Sequence, residues 1–158
     1  MIATTSSAEK EAKLKALGAD ATINYKTNPE WGPIALKYSQ GKGADFIVEV
    51  GGPGTMRQSL KAVAVEGIIA TIGFVANAEA AKASGDVPGM VEALNHQCTV
   101  RGILVGSRAL FEEMNRAIEI NQIKPVLDAT HFSLAKLKDA YQHQWEQKHF
   151  GKVVVTID

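Results

Sequence analysis

The sequence predicts an α/β fold in which a parallel sheet is covered by helices. Two observations support this prediction. Segments typical of strands and of helices alternate through residues 1–120, and the strand segments are continuous apolar runs. Strands of that composition are buried on both faces, and parallel strands need a long, usually helical, crossover between them. We therefore expect a three-layer α/β fold with an open parallel sheet.

Five strands are expected in this alternating part, at residues 2–5, 21–25, 45–50, 67–74 and 98–105. The first helix is expected to begin at Ser6, because Ser6-x-x-Glu9 has the form of a capping box. Gly18 suits the left-handed residue that ends it. Pro29 suits the first turn of a second helix, which is expected to end near Ser39.

Two further helices are indicated by apolar stripes at helical spacing. One stripe is Met56, Leu60 and Val63, and the other is Leu110, Met114 and Ile118. Between them, residues 76–89 are rich in alanine and include a glycine and a proline. We expect this segment to form a mobile loop that could include a helical turn.

The chain changes character after residue 122. Residues 126–132 are expected to be extended, Ser133 to cap a helix, and residues 153–157 to form a final strand. The stripe of the last helix is expected to be an apolar packing face, formed by Leu134, Leu137, Tyr141 and Trp145. We expect residues 1–122 to form one domain, with residues 123–158 a separate strand-helix-strand tail.

Composition narrows the function classes. Seventeen basic and seventeen acidic residues balance, which argues against a nucleic-acid or anionic-membrane surface. Cys98 is the only cysteine and the four histidines are scattered, so we expect no disulfide and no metal site. The sequence shows no signal peptide and no transmembrane segment, which predicts a cytoplasmic protein.

Residues 2–10 carry the strongest functional signal. An apolar strand ends in hydroxyl side chains, and a helix with Lys10 in its first turn follows. A helix N-terminus attracts anions, whereas a lysine there opposes the helix dipole unless an anion binds. In dinucleotide-binding folds, an acidic residue after this strand binds a ribose 2′-hydroxyl, while a cation suits a 2′-phosphate.

Several motifs follow one another along nearly the whole chain. They are Ile-Ala-Thr-Thr-Ser-Ser-x-x-Lys at 2–10, Leu-Gly-Ala-Asp at 17–20, Ile-Asn-Tyr at 23–25, Gly-Ala-Asp-x-Ile-Val-Glu-Val-Gly-Gly at 43–52, Gly-Ile-Leu-Val-Gly-Ser-Arg at 102–108 and His-Phe-Gly-Lys-Val-Val-Val at 149–155. In this order they resemble the C-terminal half of a medium-chain dehydrogenase/reductase, the superfamily of zinc-type alcohol dehydrogenases and quinone oxidoreductases. The resemblance implies a Rossmann-like domain that binds NADP(H).

The resemblance also implies which residues meet the coenzyme. Ser6, Ser7, Lys10 and Tyr25 correspond to a 2′-phosphate pocket. Val50, Gly51, Gly73 and Phe74 correspond to strand ends along the adenosine and ribose. The remaining implied contacts are Ile103, Leu104 and Val105 beside the carboxamide, and Lys152 near the phosphates.

The resemblance places the rest of the machinery outside these residues. The zinc ligands, substrate pocket, proton relay, first strand and glycine-rich turn would precede residue 1. We therefore assign no catalytic and no metal-binding residue here, and expect zinc not to be bound by this chain. A small alcohol, carbonyl or quinone substrate would be met only with the missing domain. A homo-oligomer, such as a dimer, is expected through the apolar tail.

Two alternatives to an oxidoreductase part stay open. The chain could be a catalytically inactive stand-alone nucleotide-binding or interaction module, or it could hold a flavin. A complete six-stranded Rossmann domain has the strand order 3-2-1-4-5-6, and its strand 1 would be missing here. The remaining strands could close the gap in the order 3-2-4-5-6, which is flavodoxin-like. That closure requires residues 2–5 and 46–50 to be neighbouring strands; the rival is an open gap filled by another chain.

Overall fold

The structure is a computed structural model and describes residues 1–76, 85 and 87–157. The chain divides into two compact units, Met1–Val105 and Gly106–Asp158. The predicted boundary after residue 122 is of a different kind, because it separates the expected coenzyme-binding domain from the tail that would belong to the catalytic domain. It stays a prediction. Most of the predicted loop at 76–89 lies outside the described residues.

The first unit alternates strands and helices as expected. Its strands are β1 (Ile2–Thr5), β2 (Ala21–Asn24), β3 (Ala44–Glu49), β4 (Val63–Thr71) and β5 (Thr99–Gly102). Among its described residues, the helices are α1 (Ala8–Ala16), α2 (Trp31–Tyr38), α3 (Met56–Ala62) and the short α4 (Glu92–Asn95), with a 3-10 turn at Gly52–Gly54. The predicted α/β class is confirmed.

The strands of this unit form two parallel sheets. β1 pairs with β2, with Ile2 opposite Ala21. β4 lies between β3 and β5, and all three are parallel. Among the described residues, β1 makes no strand pairing with β3. The closed order 3-2-4-5-6, in which β1 and β3 would be neighbouring strands, is therefore wrong for this structure.

Helices α2 and α3 pack against strands of both sheets. Ile23 of β2 shares a buried cluster with residues of α2 and α3, and Ile47 of β3 packs against the same cluster. The two helices meet closely at Gly32, where an added Cβ would lie 2.5 Å from the carbonyl oxygen of Gln58. β2 and β3, which belong to different sheets, thus share one buried cluster on this helix pair.

The second apolar cluster lies under β4. Ile69 is fully buried and packs with Leu60 and Val63. On β3, by contrast, Phe46 and Val48 are largely exposed. In the part of the chain that the structure describes, the apolar residues of β3 are thus covered on one face and open on the other.

Several predicted element ends shift, including two helix ends. The N-cap of α1 is Ser7 rather than Ser6, because Ser7 is extended and its Oγ accepts a hydrogen bond from the Lys10 N–H at 3.3 Å. Val63 is extended and begins β4, so it is not part of the preceding helix. α3 runs into β4 without a loop, which sequence periodicity did not reveal.

The second unit contains α5 (Arg108–Ile120), β6 (Leu127–Ser133), a 3-10 turn (Leu134–Lys136), α6 (Leu137–Trp145) and β7 (Lys152–Thr156). β6 and β7 are parallel. The predicted apolar stripe of the last helix is on the surface, and Trp145 is 84% exposed. No helix among residues 1–76, 85 and 87–157 is long and apolar enough to cross a membrane.

Most helices in the described part of the chain end in one backbone motif. After α1, Gly18 is left-handed and its N–H bonds to Lys15, while the Ala19 N–H bonds to Leu14. This is a Schellman cap. α2, α4, α5 and α6 end in the same way, but with glutamine at the left-handed position: Gln40, Gln97, Gln122 and Gln147. Residues other than glycine pay a steric cost in this conformation.

Replacing two of these glutamines with glycine is expected to stabilise the protein. Gln40 and Gln122 are exposed and have φ of 57° and 49°. Gln40→Gly and Gln122→Gly should each add about 1 kcal/mol to the free energy of unfolding. Urea denaturation followed by circular dichroism measures this. Gln40→Ala is the control, since alanine keeps the steric cost; an equal gain from alanine would contradict the explanation.

Candidate functional site

The first group of predicted site residues lies where β1 and β2 end. Both strands run in the same direction, and Thr5 is opposite Asn24 in the register. The Tyr25 N–H donates to the Thr5 carbonyl oxygen at 3.0 Å, which extends the pairing by one residue. Tyr25 therefore lies beside the segment that leads into α1, and it is 40% exposed.

The start of α1 combines backbone donors with a cation. Ser7 satisfies one N–H, that of Lys10, and Lys10 itself is partly buried in the first turn. Glu9 is directed to Lys13 at 2.7 Å, and the hydrogen bond from Lys13 lowers the pKa of Glu9. Because Glu9 is paired along the helix, the first turn carries less unbalanced negative charge than its sequence suggests.

The second group lies where β3 and β4 end, and we call it the β3–β4 corner: Val50, Gly51, Gly73 and Phe74. Two backbone bonds join its two sides, from the Val75 N–H to Val50 and from the Ala76 N–H to Gly51, both at 3.0 Å. An added Cβ on Gly73 would lie 2.8 Å from the Val50 carbonyl oxygen. The structure thus brings these four predicted residues together.

The end of β5 continues this edge. The Ile103 N–H donates to the Thr71 carbonyl oxygen at 2.9 Å, next to the end of β4. Leu104 and Val105 follow and are 88% and 86% exposed. Val105 has φ of 44°, which is a strained conformation for a β-branched residue. Strain of this kind is frequent at ligand-binding segments.

Lys152 belongs to the second unit, where it begins β7 and its N–H bonds to the Val126 carbonyl oxygen at 2.8 Å. The glycine before it, Gly151, has φ of 88°. The motif at 149–155 therefore has a visible structural task in this unit, since it starts the strand that pairs with β6.

Two polar side chains at the strand ends were missed by the sequence analysis. Glu49 is 3% exposed and accepts three hydrogen bonds at the end of β3. Thr71, its partner in the register, has a buried hydroxyl for which the described residues supply no hydrogen-bond partner. An acid within an apolar strand, directly before a glycine-rich turn, was the signal for Glu49.

The remaining candidate chemistry is sparse. Within the described ranges, no group of three or more histidine, cysteine or acidic side chains could hold a metal ion. Burial raises the pKa of the Cys98 thiol, which disfavours a reactive thiolate.

Carboxyl ends of parallel strands, with loops and a helix N-terminus beside them, define the class of α/β nucleotide-binding proteins. Comparison with known proteins gives the family. Residues 1–120 match the family model described as zinc-binding dehydrogenase. The chain belongs to this family of oxidoreductases, whose matched domain binds a nicotinamide dinucleotide.

Individual relatives agree with this assignment. A zinc-type alcohol dehydrogenase-like protein of Schizosaccharomyces pombe is 44% identical over 155 residues, which cover 98% of this chain and 44% of the relative. A crystal structure of an alcohol dehydrogenase from Sinorhizobium meliloti has a TM-score of 0.82 at 35% identity, covering 99% of this chain and 43% of that one. An NAD-dependent alcohol dehydrogenase has a TM-score of 0.83 at 31% identity, with coverage of 99% and 43%.

The chain thus spans less than half the length of the relatives it matches. Its own residues fit a coenzyme at the strand ends. The β3–β4 corner has room only for glycine at Gly73, and the buried Thr71 hydroxyl beside it has no hydrogen-bond partner among the described residues. Close backbone packing and an unsatisfied buried polar group are both typical of ligand sites.

Proposed function

We propose that this chain is the NADP(H)-binding part of an alcohol dehydrogenase-like or quinone reductase-like oxidoreductase. The observation that supports it best is the backbone hydrogen bond from Tyr25 to Thr5, since Thr5 leads directly into the α1 N-terminus that carries Ser7 and Lys10. In this proposal, Ser6, Ser7, Lys10 and Tyr25 together bind the 2′-phosphate.

The preference for NADP over NAD rests on the residues that come directly after β1. Hydroxyl residues, Ser6 and Ser7, stand where an NAD-specific site has a carboxylate. Lys10 is in the first turn of α1, where its positive charge opposes the helix dipole. A bound 2′-phosphate would remove that unfavourable interaction, whereas a 2′-hydroxyl would not.

The bound coenzyme would supply hydride transfer between its nicotinamide ring and a small alcohol, carbonyl or quinone. The β3–β4 corner would orient the adenosine and ribose. Ile103, Leu104 and Val105 would form an apolar wall beside the carboxamide, and Lys152 would add positive charge near the phosphates. We assign no acid or base in this chain, and the substrate would be chosen by residues of the longer protein.

Titration of the 158-residue chain with NADPH and with NADH, monitored by coenzyme fluorescence, tests the proposal. Lys10→Ala should weaken NADPH binding about tenfold, as expected for the loss of one charge-assisted phosphate contact, and leave NADH binding unchanged. Lys15→Ala is the matched control, because Lys15 is exposed near the other end of the same helix.

The outcomes separate the candidate functions. Equal affinity of the unaltered chain for NADH and NADPH would contradict the 2′-phosphate pocket. Absent or only millimolar binding of both coenzymes would favour the alternative, a catalytically inactive module.

A further inference from the structure

Glu49 is a buried carboxylate at the end of β3. In the described part of the chain, no lysine, arginine or histidine makes an ion pair with it. A carboxylate removed from water must be stabilised by hydrogen-bond donors instead. The hydrogen-bond donors to Glu49 therefore indicate which parts of the chain this side chain holds in place.

Three donors surround the Glu49 carboxylate, all from the chain just after β3. The Gly52 N–H and the Thr55 hydroxyl reach Oε1 at 2.9 Å and 2.6 Å. The Ser59 hydroxyl, on α3, bonds to Oε2. One side chain thus ties the end of β3 to the Gly52–Gly54 turn and to the helix behind it.

The turn held by Glu49 also packs closely against the β3–β4 corner. Gly52 has φ of 77°, and a Cβ added to it would lie 2.8 Å from the Gly73 carbonyl oxygen and 2.9 Å from Phe74 Cα. A shift of the turn would therefore push directly on the corner. Gly52 thus bonds to the Glu49 carboxylate and lies against both Gly73 and Phe74.

We propose that Glu49 is a positioning residue for coenzyme binding. Its carboxylate holds the Gly52–Gly54 turn so that the β3–β4 corner keeps the shape needed to meet the adenosine and ribose. This inference rests on the proposed function, because the corner has to be a coenzyme contact for its shape to affect affinity. Carboxylate bonds to backbone N–H and hydroxyl groups are strong enough for this role.

The test is the NADPH dissociation constant of Glu49→Gln, measured by fluorescence at a temperature where circular dichroism shows the variant folded. Glutamine keeps the size but loses one acceptor, and we expect at least tenfold weaker binding. Thr55→Val removes one donor and should weaken binding about threefold; it also serves if Glu49→Gln does not fold. Glu66→Gln is the control, since Glu66 is an exposed carboxylate on β4.

A purely structural role would lower the thermal midpoint of Glu49→Gln and leave its dissociation constant unchanged. That result, with NADPH binding intact in the unaltered chain, would overturn the positioning role and leave the proposed function standing. Failure of the unaltered chain to bind either coenzyme would overturn both. Weakened binding in Glu49→Gln and Thr55→Val, with Glu66→Gln unaffected, would support the proposal.

Discussion

Replacing Asp128 with asparagine is expected to lower the stability of the second unit by about 2–3 kcal/mol, the cost of leaving buried partners of a charged group poorly paired. Asp128 is buried in β6. It accepts hydrogen bonds from the Phe150 N–H at 2.7 Å and the Thr130 N–H at 2.9 Å, and it lies 3.1 Å from His143 Nε2. Through these contacts it joins β6, α6 and the segment before β7.

The same contacts predict a pH dependence. The Phe150 N–H, followed by the Thr130 N–H and His143, lowers the pKa of Asp128 to about 2, although burial acts in the opposite direction. A lowered pKa in the folded state means stability that is present above the unfolded pKa of about 4 and lost as the pH falls towards 2. Asp128→Asn should lack this part of the acid transition.

Urea denaturation of the unaltered chain and of Asp128→Asn, at pH values from 7 down to 2, measures both effects. Asp139→Asn is the control, because Asp139 is an exposed acid on α6. Parallel acid profiles for the unaltered chain and Asp128→Asn would show that Asp128 is not the group responsible.

Gly43→Ala is expected to destabilise the first unit by roughly 3 kcal/mol or more, through backbone strain and overlap together. Gly43 has φ of 86°, and an added Cβ would lie 2.5 Å from the Ala64 nitrogen and 2.6 Å from Ala64 Cα. These are backbone atoms at the start of β4, which cannot turn away as a side chain can. The sequence motif that begins at residue 43 thus begins with a packing requirement.

Gly41→Ala separates strain from overlap. Gly41 has φ of 81°, nearly that of Gly43, but an added Cβ there would meet nothing within 4 Å. Gly41→Ala should therefore lower the free energy of unfolding by about 1 kcal/mol, the cost of the left-handed conformation alone. Urea midpoints of the two variants give the comparison, and equal losses would refute the close approach to Ala64.

Local patterns predicted the fold class well because strands and helix starts depend on neighbouring residues. β1 was predicted with its exact bounds, and the α5 stripe was predicted correctly as helical. Ends were less well predicted. Glutamine at Gln40 or Gln122 gives no sequence signal for a left-handed cap, since glycine is the residue normally read there.

The candidate site was predicted as residues but not as an arrangement. Resemblance supplied the four corner residues, whereas the backbone bonds that join them connect Val50 to Val75 across the sheet. Glu49 lay inside a recognised motif, yet its donors depend on a turn and a helix that form only in the fold. The role of the corner residues in coenzyme binding stays a prediction.

Longer-range features had no sequence signal at all. Asp128 and Phe150 are 22 residues apart, and nothing local links them. The buried cluster that both sheets share includes residues of α2 and α3, and the contact between these helices involves Gly32 and Gln58. The strand order deduced from the sequence took no account of that contact between helices.

The separated sheets have a consequence for how the folded chain opens. β1 and β2 are joined to the other strands through side chains on α2 and α3, and the described residues show no continuous ladder of backbone hydrogen bonds across the unit. Cooperative units in hydrogen exchange follow such divisions. The amides of β1 and β2 should therefore exchange with solvent in an opening of their own, and a ligand held at Ser6–Lys10 would slow exchange there before it slowed it in β4.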